Sequence, residues 1–266
     1  MHADDRQITV PAFTALKAAG RKITMLTAYD FAMAGLLDAA GIDGILVGDS
    51  VATVVQGRAN TLPVTLDEMI YHAKMVGRAV RHALVVVDMP FLSYQVSTRR
   101  AIANAGRILK ETRCQAVKLE GGADQAEVIA ALVSAGIPVM AHFGLQPQSI
   151  HRLGGYHVQR DRGRLLADAQ AVEKAGAFSV VLECIPAEIA GEITTAVGIP
   201  TIGIGAGAGC DGQILVVHDL LGLTPGRVPR HTKAYADLNS VILEAVTRYR
   251  DEVRSGVFPG PEQTFR

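Results

Sequence analysis

Short apolar runs that stop at a charged residue recur along this chain. Gly44-Ile45-Leu46-Val47-Gly48 leads into Asp49 and Ser50, Leu84-Val85-Val86-Val87 into Asp88, and Ala116-Val117-Lys118-Leu119 into Glu120. Val139-Met140-Ala141 ends at His142, and Val180-Val181-Leu182 ends at Glu183. A run of this kind, bounded by a turn signal, predicts a short strand buried on both faces. Strands that repeatedly deliver an acid or a base at their C-terminal ends build a pocket. The expectation is that these ends converge on one metal-assisted active site.

Between the strands lie helical patterns with visible starts and stops. Residues 11–19, Phe31 to Ala40, and a segment opened by Thr65-x-x-Glu68 read as helices, the last with a capping box. Asp124-x-x-Glu127 promises a similar start before Ile129, Leu132 and Val133. Leu165, Leu166, Ala169 and Val172 share one apolar face, as do Ile189, Ala190, Ile193 and Val197. Four helix ends run through glycine into a new strand: Ala40-Gly41, Ala135-Gly136, Ala175-Gly176 and Val197-Gly198. Glycine takes the left-handed cap conformation cheaply, and the prolines at 138 and 200 prevent the helix from continuing.

Strands are expected near 23–27, 44–47, 84–87, 116–119, 137–141, 178–182, 200–204 and 213–217. Their alternation with helices predicts a parallel sheet. Eight such β/α units in a chain of 266 residues match a (β/α)8 TIM barrel. A doubly wound open sheet is the alternative, and in both folds ligands sit at the strand C-termini. Residues 50–64 and 143–160 are longer than a β/α loop needs and are expected to cover substrate. An amphipathic helix is expected from about Thr232 to Arg254, followed by an irregular Gly/Pro-rich tail. No linker marks off a second domain, so residues 1–266 read as one catalytic barrel with a C-terminal helix and tail.

Composition narrows the function. With 49% hydrophobic residues the chain can bury a sizeable core. Its 26 basic and 26 acidic residues are intermixed, so no basic block exists to grip nucleic acid or an anionic membrane. No apolar run approaches the ~18 residues of a membrane span, and the opening Met1-His2-Ala3-Asp4-Asp5 is unlike a secretory signal. Cys114, Cys184 and Cys210 are odd in number and lack Cys-x-x-Cys spacing, which argues for reduced thiols and a cytoplasmic location.

The strand ends carry the candidate chemistry. Asp49, Asp88 and Glu120 end consecutive strands that would lie ~4.8 Å apart, so their carboxylates would repel one another unless a cation intervened. Mg2+ held by a few carboxylates and waters suits such a site, with helix capping or arginine pairing as the alternative. Lys118 points the same way as Glu120 and is costly in an apolar barrel unless it meets an anion; it suits binding a substrate carboxylate or forming a Schiff base with a keto group, with neutral packing as the alternative. Glu183, beside Leu182, Ile185 and Pro186, suits a partly desolvated general base; capping a helix is its alternative. His142 either contacts substrate or satisfies backbone groups, while His151 and His157 read as loop residues. The run Gly203-Ile204-Gly205-Ala206-Gly207-Ala208-Gly209 satisfies a dinucleotide fingerprint in letters but lacks the βαβ context, and close approach of backbone to a ligand explains it as well.

Taken together, several phrases resemble the ketopantoate hydroxymethyltransferase family. They are Leu26-Thr27-Ala28-Tyr29-Asp30, Leu46-Val47-Gly48-Asp49-Ser50, Gln56-Gly57, Thr61-Leu62-Pro63-Val64, Val117-Lys118-Leu119-Glu120-Gly121-Gly122, Gly144-Leu145-Gln146-Pro147-Gln148-Ser149, Leu182-Glu183-Cys184-Ile185-Pro186 and Gly203-Ile204-Gly205-Ala206-Gly207. The likeness runs from about residue 8 to 266, departing in loops at 159–163 and 208–210.

The resemblance implies a barrel of the phosphoenolpyruvate/pyruvate-binding kind, assembled as a homo-decamer of pentamers. It implies transfer of a hydroxymethyl unit from 5,10-methylenetetrahydrofolate to 3-methyl-2-oxobutanoate, giving 2-dehydropantoate for pantothenate synthesis through a Mg-stabilised enolate. By position it assigns Asp49, Asp88 and Glu120 to Mg2+, Asp49, Ser50, Asp88 and Lys118 to the oxoacid, and Glu183 to the catalytic base. His142 is added as a substrate contact. A carbon–carbon lyase or mutase without folate and a non-catalytic oxoacid binder are the rival readings.

Overall fold

The computed structural model describes residues 7–224, 226 and 228–265; the acidic start at Met1–Asp5 lies outside them. In chain order the elements are α1 (Val10–Ala18), β1 (Ile23–Thr27), α2 (Phe31–Ala39), β2 (Gly44–Val47), α3 (Val51–Val54), α4 (Leu66–Ala79) and β3 (Leu84–Asp88). There follow α5 (Thr98–Glu111), β4 (Ala116–Glu120), α6 (Ala126–Ser134), β5 (Val139–Gly144), α7 (Ile150–Leu153), α8 (Arg162–Lys174) and β6 (Ser179–Glu183). The last are α9 (Ala187–Ala196), β7 (Thr201–Ile204), β8 (Gly212–Leu215), α10 (Val217–Leu220) and α11 (Leu238–Ser255).

The eight strands close into a barrel in sequence order, every pairing parallel, with β8 returning to β1. The open-sheet alternative is therefore excluded. Side chains alternate along a strand, so one parity faces inward. The inward set is read from the core cluster of Ile23, Met25, Leu46, Leu84, Val86, Ala116, Met140, Val181, Ile202 and Ile214. Phe13 of α1 joins this cluster, and its ring meets Phe178 edge-on at 5.9 Å, so α1 plugs the end where the strands start. Continuing the same parity toward the other end gives Asp88, Lys118, Glu120, His142 and Glu183. Apolar residues fill the lower barrel, and ionisable ones fill its top.

Three local expectations need correction. The Asp124-x-x-Glu127 start does not cap a helix: residues 123–125 form a 3-10 turn, α6 begins after Gln125, and the Asp124 carboxylate accepts the Gly122 N–H instead. No helix joins β7 to β8; residues 205–211 bridge them directly, shorter than the dozen or so residues a parallel crossover usually takes. The glycine-rich run makes this tight passage possible. A side chain at Gly203 would strike Cys210 Sγ at 2.9 Å, and Asp211 turns back to accept the Thr201 N–H and pair with Lys17 at 2.9 Å. His151, expected in a loop, lies in the one-turn helix α7.

Residues 1–216 and 217–266 form separate compact units. In the second, α11 starts later than expected because Asp237 supplies the N-cap, accepting from Ser240 N and Oγ. The preceding stretch is tied to the end of α10 by Tyr235 N to Leu220 O and Leu238 N to Leu221 O. Among the described residues no helix is long and apolar enough to cross a membrane, and no disulfide joins Cys114, Cys184 or Cys210.

Candidate active site

The top of the barrel gathers every residue singled out at the strand ends. Lys118 is paired with Asp88 in the β3–β4 register, Glu120 with His142 across β4–β5, and Gly144 with Glu183 across β5–β6. Asp49 and Ser50 follow β2 at the turn into α3. Asp49, Asp88, Lys118, Glu120 and His142 are all buried, while the Glu183 side chain stays 16% exposed. Glu183 is the one carboxylate of the set that is only partly buried, and Ser50 is the other member so placed.

The contacts are short and specific. Lys118 Nζ donates to Asp88 Oδ1 at 2.5 Å, and the Asp49 N–H donates to Asp88 Oδ2 at 2.9 Å. Ser50 Oγ shares a 2.8 Å hydrogen bond with the Tyr29 hydroxyl. His142 stands between two carboxylates: Nε2 is 3.1 Å from Glu183 Oε2 and Nδ1 is 3.8 Å from Glu120 Oε1. The 3.1 Å approach puts Glu183 within hydrogen-bond reach of Nε2, whereas 3.8 Å at Nδ1 is too long for one.

Charge in this pocket is out of balance. Three carboxylates face one ammonium, and burial makes each negative charge expensive. Burial, followed by repulsion from Asp88, pushes the Asp49 carboxyl up to about 7 against the pull of Lys118. Burial and then Asp49 raise Glu120 well above the usual carboxylate range. Burial works to lower the Lys118 pKa, but Asp88, Glu120 and Asp49 outweigh it and hold the ammonium above its ordinary pKa. Burial and then the Lys118 charge lower the His142 imidazole, which is therefore neutral near pH 7.

This donor set fits a hard divalent cation. The carboxylate oxygens are of the type Mg2+ prefers, and a cation would offset both the surplus negative charge and the upward shifts at Asp49 and Glu120. Among the described residues no group of three or more His, Cys, Asp or Glu forms a ready cage. Mg2+ typically takes one or two carboxylates and completes its shell with waters and substrate oxygens, so a partial set meets its needs. Asp49 and Asp88 would hold it, with Glu120 adding a direct or water-mediated contact.

Two residues with no role assigned from sequence complete the site. Gln148, on the 3-10 turn Pro147–Ser149 after β5, donates its Nε2 to Asp49 Oδ2 at 2.9 Å and to Met89 O at 3.1 Å. Its backbone N–H donates to Glu120 Oε2 at 2.9 Å. Tyr94, buried in the loop between β3 and α5, reaches Gln148 Oε1 at 2.8 Å and accepts the Glu120 N–H at 3.1 Å. Only the phrase Gln146-Pro147-Gln148-Ser149 pointed toward one of them. Both long loops contribute buried groups near the site, Thr61 from residues 50–64 and Gln148 from 143–160. His151 and His157 stay exposed and take no part.

Comparison with known proteins places the geometry in context. A sequence model described as ketopantoate hydroxymethyltransferase matches residues 7–261. The 3-methyl-2-oxobutanoate hydroxymethyltransferase of Rhodopirellula baltica is 56% identical over 97% of this chain and 96% of its own. That of Syntrophotalea carbinolica is 58% identical over 97% of this chain and 98% of its own. Among solved structures, a phosphonopyruvate hydrolase complexed with oxalate and Mg2+ superposes with TM-score 0.63 at 13% identity, covering 96% of this chain and 92% of that one. A 2,3-dimethylmalate lyase of the phosphoenolpyruvate mutase/isocitrate lyase superfamily gives 0.62 at 17%, covering 96% and 91%. These two establish the likeness of the barrel.

Proposed function

This chain belongs to the ketopantoate hydroxymethyltransferase family, and from that membership and its site we infer an enzyme that transfers a hydroxymethyl unit to 3-methyl-2-oxobutanoate. The donor in this reading is 5,10-methylenetetrahydrofolate, with water supplying the hydroxyl, and the products are 2-dehydropantoate and tetrahydrofolate. Its place is in the synthesis of pantothenate. A cytoplasmic homo-decamer, with residues 1–266 acting as one catalytic barrel plus C-terminal helix and tail, belongs to the same proposal.

The observation that carries the reading is the convergence, at one rim of the barrel, of an acid-rich cluster, a buried ammonium and a partly exposed carboxylate. Bound Mg2+ would supply Lewis acidity, drawing electron density from the oxoacid and acidifying its C3–H. Asp49 and Asp88 orient the oxoacid with Ser50 and Lys118. Glu183 accepts the C3 proton at Oε1 or Oε2, and the enolate charge develops beside the Lys118 ammonium. His142, neutral and pressed against Glu183, orients that carboxylate toward substrate. C3 then bonds to the methylene carbon; both bonds from that carbon to folate nitrogen break, water supplies its hydroxyl, and the protons released from C3 and from water restore the two N–H groups of tetrahydrofolate.

NMR-monitored turnover of 3-methyl-2-oxobutanoate tests the proposal. Hydroxymethylated product is expected only when methylenetetrahydrofolate is present. Cleavage or rearrangement of an oxoacid without folate would favour a lyase or mutase, and absence of any turnover would favour a binding protein.

A further inference from the structure

We propose that Gln148 is a positioning residue that sets the acidic cluster for its cation, and that Tyr94 in turn sets Gln148. The amide orientation is fixed by chemistry. The Met89 carbonyl can only accept, so the group facing it must be the amide nitrogen, which leaves the second N–H for Asp49 Oδ2. On its other side Gln148 Oε1 receives Tyr94 OH at 2.8 Å and Gln95 Nε2 at 3.4 Å. With its backbone N–H on Glu120 Oε2, one residue holds carboxylates delivered by two different strands.

The neutrality of the amide matters. A lysine or arginine at this place would also bind Asp49 and Glu120, but it would cancel the negative charge that a divalent cation needs. Gln148 supplies donors without charge, lowers the cost of keeping Asp49 ionised, and restrains one oxygen of each carboxylate while leaving the other unclaimed by it. Tyr94 is buried and its phenol remains protonated, burial being the main cause and Glu120 the next. The Glu120 N–H donates to its oxygen at 3.1 Å, and its own proton is shared between Gln148 Oε1 and Glu120 O at 3.0 Å. The loop after β3 and the loop after β5 therefore brace the ends of β2 and β4 through one hydrogen-bonded chain.

Outer partners of metal ligands typically change metal affinity ~10–100-fold when lost. This inference rests on the Mg2+ reading of the site, and calorimetric titration of the full-length protein with Mg2+ alone separates the two. Wild type should bind; Gln148→Leu should bind ~10–100-fold more weakly and regain most of its kcat at saturating Mg2+. Tyr94→Phe, which keeps the ring packing, should weaken binding less, and the double variant should be no weaker than Gln148→Leu alone. Wild-type affinity in Gln148→Leu, or additive losses in the double variant, would overturn the inference by itself. If Gln148→Leu fails to fold, unchanged affinity in Tyr94→Phe does so. A wild-type protein that takes up no Mg2+ would overturn the metal reading and this inference together.

Discussion

Lys118 Nζ lies 2.5 Å from Asp88 Oδ1, with both side chains buried at the top of the barrel. The pairing decides between two roles for the lysine. An amine held protonated by three surrounding carboxylates has no lone pair with which to attack a keto group. Borohydride reduction in the presence of oxoacid should therefore leave the enzyme active and unlabelled, and mass spectrometry detecting an adduct on Lys118 would support an imine route. Removing the ammonium leaves a buried acid unpaired, so Lys118→Ala should lower stability by ~3–5 kcal/mol in the absence of divalent cation.

Asp38 offers a stability test remote from the chemistry. Its carboxylate on α2 accepts the Arg81, His82 and Ala83 N–H groups at 2.8–3.0 Å, holding the turn from α4 into β3. Burial alone would raise its pKa, but these bonds, Ala83 foremost, outweigh it and lower it below 3.8. The unfolded chain then binds a proton near that value while the fold does not, so stability rises with pH through this window. Asp38→Asn should lose ~1–3 kcal/mol at pH 7 and show a flatter loss of stability in chemical denaturation as pH falls below about 4.

Gly144 connects backbone geometry to Glu183, the proposed base. Its φ of 97° suits glycine, and an added Cβ would fall into the Glu183 carbonyl oxygen and stand 2.8 Å from Ile185 Cγ2. Gly144→Ala should therefore push the end of β6 outward and displace Glu183. Misplacement of a reacting group by ~1 Å can cost ~100-fold in rate. Steady-state kinetics should show kcat falling toward that extent with oxoacid affinity nearly kept, because the proposed oxoacid contacts lie on or just after β2 to β4. An unchanged kcat would contradict the coupling.

What could be read from the sequence follows from range. Asp88, Glu120, His142 and Glu183 each sit at the end of a locally recognisable apolar run, so alternation alone placed them at one rim. Lys118 and Glu120 were paired by their two-residue spacing. Gln148 and Tyr94 carry no such signal: each acts by reaching across from a loop, and which loop folds over which strand end is a tertiary matter. The missing β7–β8 helix follows the same logic, since the glycines there permit several turns and only barrel closure selects one. Asp124 failed as a helix cap because a nearer N–H, that of Gly122, claimed its carboxylate.

In the proposed reaction Glu183 removes the C3 proton of an oxoacid held by the neighbouring strands. Its carboxylate keeps solvent contact while Asp49, Asp88 and Glu120 are buried, and His142 Nε2 stands 3.1 Å away. Glu183→Gln keeps the shape of the side chain and loses the basic site. Deuterium entry at C3 of 3-methyl-2-oxobutanoate, followed by NMR in deuterated water with Mg2+ and without folate, reads this step alone. Wild type should exchange the proton, and Glu183→Gln should do so ~10²–10⁴-fold more slowly while binding the oxoacid nearly as well. Exchange by Glu183→Gln at the wild-type rate would rule out Glu183 as the base and place it elsewhere.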